Sequence, residues 1–352
     1  MLDTPSRSRL GQSMGIVAIG RNEGSRLRLC LESLKNFVGP ILYVDSNSTD
    51  ASVSSARALG VSVWELDPSK PMSAARARRE GFCRLVDRHP DLEFIFFVDG
   101  DCQVAPEWPQ IAEQFLRQHP DVAAVCGRRR EQHPEHSVYN RLCDDEWDTP
   151  IGEAQAVGGD AVYRAQSYRE AGGFNASVPA GEEPELCKRL RDCGWRIWRL
   201  DAEMTIHNAA MTRFGQWWKR QLRTGYAGLD VERRFQLRTF DRIIKSACFW
   251  GLFVPMTAVS AALALGWLAS AWWAIGCLAA AMLVVVLQAL RIAWRANSSK
   301  TDWLNSLEIG FYTMAAKLPI AVGVVKQLLE TLLGKQSQLI EYKVAESLRP
   351  QS

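Results

Sequence analysis

Before residue 245 the apolar residues of this chain come in short runs between charged stretches; beyond it they dominate. Met14–Ile19 predicts a strand, Gly20–Gly24 a turn, and Leu27, Leu31 and Leu34 recur at helical spacing after it. Ile41–Val44 predicts a second strand, residues 51–59 a helix and residues 61–65 a third strand. Residues 72–81 follow as a helix. Strand alternating with helix predicts an α/β fold: a mixed, mostly parallel sheet flanked by helices. Phe94–Val98 is the most apolar of these runs and reads as a strand buried on both faces at the sheet centre. Further on, residues 106–118 read as a helix and 122–126 as a strand. Residues 156–163 read as a strand with close backbone approach at Gly158–Gly159, and 166–171 as a short helix closed by Gly172 and Gly173. Residues 181–190 predict a helix opening with acids, with Pro184 in its first turn, where proline is tolerated. Residues 195–200 make a last strand. Residues 127–155 are polar, rich in charge and His, and without periodicity; they read as a long loop of the functional or mobile kind.

The apolar part has its own logic. From Ser246 to Leu290, 45 residues contain no Asp, Glu, Lys, Arg or His. One bilayer crossing takes roughly 20 residues, so the run predicts a transmembrane hairpin over about 247–267 and 271–290, turning at Gly266–Ser270. Trp267, Trp272 and Trp273 cluster there like an interfacial aromatic belt, and basic residues flank both ends: Arg238, Arg242 and Lys245 before, Arg291, Arg295 and Lys300 after. That charge pattern predicts both ends on the cytoplasmic side of the inner membrane. Trp303–Leu333 is apolar and helical in pattern but interrupted by Glu308, Lys317, Pro319 and Lys326. It predicts interfacial helices, with a third crossing as the alternative. Trp217, Trp218, Lys219, Arg220, Arg223, Arg233 and Arg234 either cover a lipid surface or form an ordinary basic helix face. The expected organisation is a disordered N-terminus (1–13), a catalytic domain (14–235), the hairpin (236–295), and interfacial helices with a tail (296–352). Two crossings enclose no pore, so exporting a polymer would need other polysaccharide-synthesis subunits.

Composition narrows the classes. A net charge of +3 over 352 residues gives nucleic-acid binding no support. Nine cysteines without a C-x-x-C pair fit a reduced compartment better than a disulfide framework or a cysteine zinc site. The N-terminal dozen residues lack the apolar core of a signal peptide.

Candidate chemistry sits at strand ends. Asp99-Gly100-Asp101 follows the central strand where open α/β sheets bind ligands, and Gly100 lets the backbone turn sharply. Two carboxylates there suit Mg²⁺ or Mn²⁺ held with a substrate phosphate. Asp45 closes its own strand and opens a cluster of acceptors reaching Asp50. Arg76, Arg78 and Arg79 lie close on one helix, as a solvated basic face or with one arginine on a diphosphate.

Taken in order, these features resemble a family 2 glycosyltransferase of the GT-A fold over residues 14–230. They are Arg21-Asn22-Glu23, Asp45–Asp50, Ala77–Gly81, Asp99-Gly100-Asp101, Gly158-Gly159-Asp160, Gly172-Gly173-Phe174, Glu182-Glu183 with Glu185–Leu190, and His207. The chain has Arg78-Arg79 where the family usually has Arg-Asn, and Glu182-Glu183 where it usually has Glu-Asp. The resemblance implies an inverting, membrane-anchored transferase using a nucleotide-diphosphate sugar and Mn²⁺ or Mg²⁺. Its acceptor would be a lipid-linked or membrane-associated saccharide in cell-surface or extracellular polysaccharide synthesis. Arg21, Glu23, Asp45, Arg78, Asp99, Gly100 and Asp101 would bind the donor, with Asp45 on the base or ribose and Arg78 near the diphosphate. Asp101, helped by Asp99 and completed by His207, would hold the metal. Gly159, Asp160 and Glu182 would face the acceptor. Glu183, aligned with the family's usual aspartate, would be the general base, with Glu182 as its alternate; both stand at a helix start, where the dipole favours an ionised acid. Polyprenyl-phosphate glycosyltransfer, nucleotidyl transfer and an inactive membrane scaffold are the rival readings.

Overall fold

The first strand, β1 (Met14–Gly20), is apolar throughout and becomes a central rung of one nine-stranded sheet. The computed structural model describes residues 13–237, 240–297 and 302–335. Expectations for residues 1–12 and 336–352, and for the flanking charges Arg238 and Lys300, lie outside these. Ser13, placed with the N-terminal tail, already joins the sheet: its carbonyl accepts from Glu93 and Phe94.

After β1 the chain runs through α1 (Ser25–Ser33), β2 (Ile41–Asp45), α2 (Ser52–Ala58), β3 (Ser62–Glu65) and α3 (Ala74–Arg88) to β4 (Phe94–Asp99). β1 lies between β2 and β4, parallel to both, and β3 is parallel to β2. Then come β5 (Cys102–Val104), α4 (Trp108–Gln118), β6 (Val122–Glu131), α5 (Val138–Trp147), β7 (Gly152–Glu153), β8 (Ala161–Arg164), α6 (Ala165–Glu170), α7 (Glu182–Asp192) and β9 (Arg196–His207). The strand order is β3-β2-β1-β4-β8-β6-β9-β5, with β7 beside β9. β8 enters antiparallel between β4 and β6, while β6 and β9 run parallel. Residues Phe94–Val98 are fully buried, as a strand covered on both faces must be.

Register sets the site. Gly20 pairs with Asp45 and Ile19 with Asp99, so two acids end level on neighbouring rungs. His207 pairs with both Cys102 and Glu131.

Three expectations change. Residues 127–155 are not a loop: β6 continues to Glu131, and a 3₁₀ turn (Pro134–His136), α5 and β7 follow. The strand continues through arginines because their charges are paired; buried Arg128 meets Asp144 at 2.7 Å and Asp148 at 3.4 Å. The strand expected from residue 156 starts only at Ala161, and the one expected to stop at Leu200 runs on to His207.

The described residues divide after Ala210 into two compact units. The second begins with α8 (Phe214–Phe235), expected within 14–235, and continues through α9 (Asp241–Cys248), a π-helical turn (Phe249–Phe253), α10 (Val254–Leu268), α11 (Ala271–Asn297), α12 (Trp303–Ala315) and α13 (Lys317–Leu332). Three helical stretches are long and apolar enough to cross a membrane: Asp241–Leu268, Ala271–Asn297 and Trp303–Leu332. The first two turn at Ala269–Ser270. In the third, 44% of the most apolar window is buried inside the protein, against none for Ala271–Asn297. Its partner is α8. A side chain at Gly225 would strike the Ile320 carbonyl and one at Gly323 the Leu222 carbonyl, so the two backbones touch. Tyr226 donates to Glu330 at 2.5 Å and Gln327 to buried Asp230 at 3.0 Å.

Candidate active site

The ends of β4 and β9 and the starts of β5 and α7 bring most of the candidate residues together. Gly100 is buried, and its N–H donates to the Ile19 carbonyl at 2.7 Å, turning the chain between the two acids. Asp99 stays half-buried beside this turn, whereas Asp101 points inward and is almost wholly buried. An Asp101 carboxylate oxygen lies 3.1 Å from His207 Nε2. Asp101, Cys102 and His207 each place one ligand-type atom within 4.8 Å of the others. Burial, with the nearby carboxylates and against Arg129, pushes the Cys102 thiol well up.

A second knot is tied by Arg78, on α3. Its guanidinium, only 2% exposed, donates to Asp99 Oδ1 at 2.8 Å, Glu182 Oε1 at 2.8 Å and Glu183 Oε1 at 3.1 Å. Burial works against its charge, but Asp99, Glu183 and Glu182 together hold its pKa above the ordinary value. Of Arg76, Arg78 and Arg79 only Arg79 is exposed: Arg76 is buried like Arg78, donating to Glu80 at 2.7 Å and to the loop carbonyls of Asp67, Lys70 and Pro71. Gly159 passes close over the Arg78–Asp99 pair. A Cβ there would stand 2.5 Å from Arg78 Nη2 and 2.9 Å from Asp99 Oδ2, so any larger residue would push the pair apart.

Comparison with known proteins decides the lineage of this arrangement. Residues 16–159 match the family model described as glycosyl transferase family 2. The chain carries a family 2 glycosyltransferase domain. Over 322 residues it is 24% identical to the pre-mycofactocin glycosyltransferase of Mycobacterium tuberculosis, covering 86% of this chain and 62% of that one. The chain thus spans under two thirds of the length of these curated relatives. Among solved structures, the mannosyltransferase PcManGT from Pyrobaculum calidifontis, in complex with GDP-Man and Mn²⁺, is similar with a TM-score of 0.56 at 17% identity, covering 90% of this chain and 87% of that one. That likeness shows the fold, which is GT-A. Glucosyl-3-phosphoglycerate synthase from Mycobacterium tuberculosis, in complex with Mn²⁺, UDP and its product, matches more loosely at a TM-score of 0.47 and 15% identity, covering 65% of this chain and 82% of that one.

Within the glycosyltransferase domain the remaining candidates fall into distinct settings. Asp45 is buried and accepts from Tyr43 Oη at 2.8 Å, Ser48 N at 2.7 Å and Ser48 Oγ at 2.5 Å, which folds the Asp45–Asp50 turn around it. Asn22, in the left-handed region at φ 56°, ties the β1 turn to the same segment through Ser48 and Thr49. Arg21 is exposed beside it, and Glu23 is half-buried and pairs with Arg26 at 2.9 Å. Asp160 departs from the acceptor role expected of it. It is buried, with one oxygen accepting from the Asp99 N–H at 2.9 Å and the other from Thr205 Oγ1 at 2.7 Å, so it braces Asp99 from behind. Burial pushes its pKa up, and Arg129 counters that.

Glu182 is buried against Arg78, while Glu183, one residue on, is half-buried. Burial first, and the neighbouring Glu182 second, push the Glu183 carboxyl up to about 7 against the pull of Arg78. A carboxyl poised near neutrality can take a proton and release it again.

Arg129 and Trp147 escaped the sequence. The Arg129 guanidinium stands 3.6 Å from Asp99 and 3.7 Å from Asp160, over the Trp147 ring at 4.9 Å. Trp147 in turn meets His207 edge-on at 4.9 Å. The only signal for either was the run of three arginines after Gly127.

Proposed function

We propose that this chain is an inverting glycosyltransferase moving a sugar from a nucleotide-diphosphate sugar to a hydroxyl of a membrane-associated, lipid-linked saccharide. Its catalytic unit would face the cytoplasm at the inner membrane. The observation that carries this reading is the meeting of Asp99, Glu182 and Glu183 on the buried guanidinium of Arg78. It brings the strand end where a donor binds and a carboxyl with a near-neutral pKa to the same few ångströms. The apolar helices favour an acceptor held at the bilayer.

Asp101 and His207, with Asp99 in support, fit Mn²⁺ or Mg²⁺. A buried carboxylate and imidazole 3.1 Å apart make an oxygen–nitrogen pair of the kind Mn²⁺ accepts, and PcManGT carries Mn²⁺ with its sugar nucleotide. When bound, such an ion neutralises charge on the departing nucleoside diphosphate. The protein's own groups do the rest. Asp45 receives the base or ribose, with Arg21 and Glu23 on the adjoining turn, and Arg78 offers a fixed positive charge to the diphosphate. Gly159 leaves the room into which a sugar can approach that pair, and Glu182 holds Arg78 in place. The acceptor oxygen bonds to the anomeric carbon as the bond to the diphosphate oxygen breaks, inverting the centre. Its proton passes to Glu183.

Glu183→Gln keeps the side chain's size and removes the base. Donor binding should survive while transfer falls by roughly 10²–10⁴-fold. Normal transfer in both Glu183→Gln and Glu182→Gln would end the base assignment in favour of a phosphate nucleophile, as in polyprenyl-phosphate glycosyltransfer. Release of pyrophosphate would mark a nucleotidyltransferase. Failure of every common nucleotide sugar to bind or react with Mn²⁺ present would end the reading altogether.

A further inference from the structure

Arg76 is a buried cation that the transfer chemistry does not use. It lies in the first turn of α3, where the helix dipole disfavours a positive charge, so the helix itself does not call for it. A buried charge needs partners, and most of those of Arg76 are on one loop. Its Nη1 donates to the carbonyls of Asp67, Lys70 and Pro71 at 3.0, 3.1 and 3.3 Å, while Nε donates to Glu80 at 2.7 Å. Glu80 is fixed in turn by the Trp64 indole N–H at 3.0 Å, and Arg84 lies over the Trp64 ring at 3.6 Å. The side chains of the loop do little to hold it. Asp67, Pro68, Ser69, Lys70 and Pro71 are all exposed, between buried Leu66 and Ser73, which caps α3. The loop leaves the sheet at the edge that carries Asp45 and Asp99, because β3, β2, β1 and β4 run parallel. Glu65, the last residue of β3, pairs with Asp45, and the Leu66 N–H donates to the Asp45 carbonyl at 2.9 Å.

We propose that Arg76 is a positioning residue for the donor, holding the Asp67–Pro71 loop as a preformed wall beside Asp45 for the nucleotide's base or ribose. This rests on the glycosyltransferase reading and on Asp45 as the nucleoside end of the site. Three carbonyls converging on one buried nitrogen turn the main chain of the loop inward and fix it before a ligand arrives. Without the guanidinium those carbonyls turn to water, and the loop samples other conformations. Affinity then falls with the fraction of molecules in which the loop is formed. The diphosphate end is spared. Two residues apart on an α-helix are about 200° apart around its axis, so Arg76 and Arg78 point to opposite sides, and the carboxylates on Arg78 stay in place when Arg76 is replaced.

The test separates the nucleoside end from the diphosphate end. The full chain in detergent, with Mn²⁺ present, is titrated calorimetrically with UDP, GDP, ADP and CDP, and with inorganic pyrophosphate, which has neither base nor ribose. In Arg76→Ala the nucleoside diphosphate that the unaltered protein binds best should weaken by about tenfold or more, the penalty of a loop formed a tenth of the time. Pyrophosphate should bind as before, which also shows that the variant is folded. Arg76→Lys keeps the charge but not the planar fork that spans Glu80 and the loop, so it should show a smaller loss of the same selective kind. Trp64→Phe removes only the bond to Glu80 and should lose less again. In turnover the donor KM should rise with kcat unchanged. Unchanged nucleoside diphosphate affinity in Arg76→Ala, an equal loss for pyrophosphate in both Arg76 variants, or a loss confined to kcat would overturn the proposal and leave the glycosyltransferase reading standing. No nucleoside diphosphate binding by the unaltered protein would overturn both.

Discussion

The two units put polar and apolar groups to opposite uses. In the sheet unit a large apolar core is inside and buried charge is held in networks, such as Arg78 with its three carboxylates or Asp160 between Asp99 and Thr205. In the helical unit large apolar side chains are outside, among them Trp267, Leu268, Trp272 and Met282. There the polar groups are drawn in: Asp230 with Gln327, and Tyr226 with Glu330, staple α8 to α13. Glycine changes its role too. Gly159 clears space around a charged pair, whereas Gly225 and Gly323 let two helix backbones touch. Hydrophobicity therefore marks the core in one unit and the outward surface in the other.

The sharpest way to break the contrast is to open the charged knot. Arg78→Ala leaves Glu182 and Glu183 without their cation and Asp99 with only Arg129 at 3.6 Å, and a buried pair broken on one side costs about 3–5 kcal/mol. Thermal melting in detergent should show that loss, and Arg78→Lys, which lacks the planar fork, should recover only part of it. Full stability in Arg78→Ala would mean that the knot is ornamental.

Acid should reach the same knot more gently. With Glu183 raised to about 7, its proton favours the folded state at low pH, and that contribution is lost as pH rises through about 7. Activity runs the other way, because the base must be ionised. The value of kcat/KM should fall about tenfold per pH unit below about 7 and level off above it. A flat profile between pH 5 and 8 would remove Glu183 from the rate.

The helical unit should instead be sensitive to volume. Gly323→Val places a branched side chain against the Leu222 carbonyl, and overpacking of this kind costs about 1–3 kcal/mol. The melt should move while donor affinity, measured on the same sample, stays put. Least of all should come from the surface: Arg130 and Glu203 are joined by two short bonds but are both about half exposed, so Arg130→Ala should cost about 0–1 kcal/mol.

The sequence revealed whatever depends on runs and on ends. Phe94–Val98 could be read as a buried strand because nothing polar interrupts it, and Asp99 and Asp101 followed from where that strand stops. The hairpin was legible for the same reason. What stayed hidden depends on partners far along the chain. Arg128 continues a strand only because Asp144 and Asp148 neutralise it, and no periodicity reports an ion pair. Arg76 and Arg78 look like a wet helix face until the carbonyls around one and the carboxylates around the other are in place. Asp160 carried the right chemistry for substrate, and only its burial against Thr205 gives it to the scaffold.

The staple between α8 and α13 also dictates an order of assembly. Tyr226 and Glu330 are 104 residues apart, and Asp230 and Gln327 are 97. A ribosome delivers α8 early, but its partner arrives only after the whole apolar hairpin has been made. A freely flexible loop of that length carries an entropy penalty that grows with its logarithm. The hairpin of α10 and α11, which turns at Ala269–Ser270, returns the chain near its starting point before α13 appears, so closing that hairpin is the folding step that brings these two helices within reach.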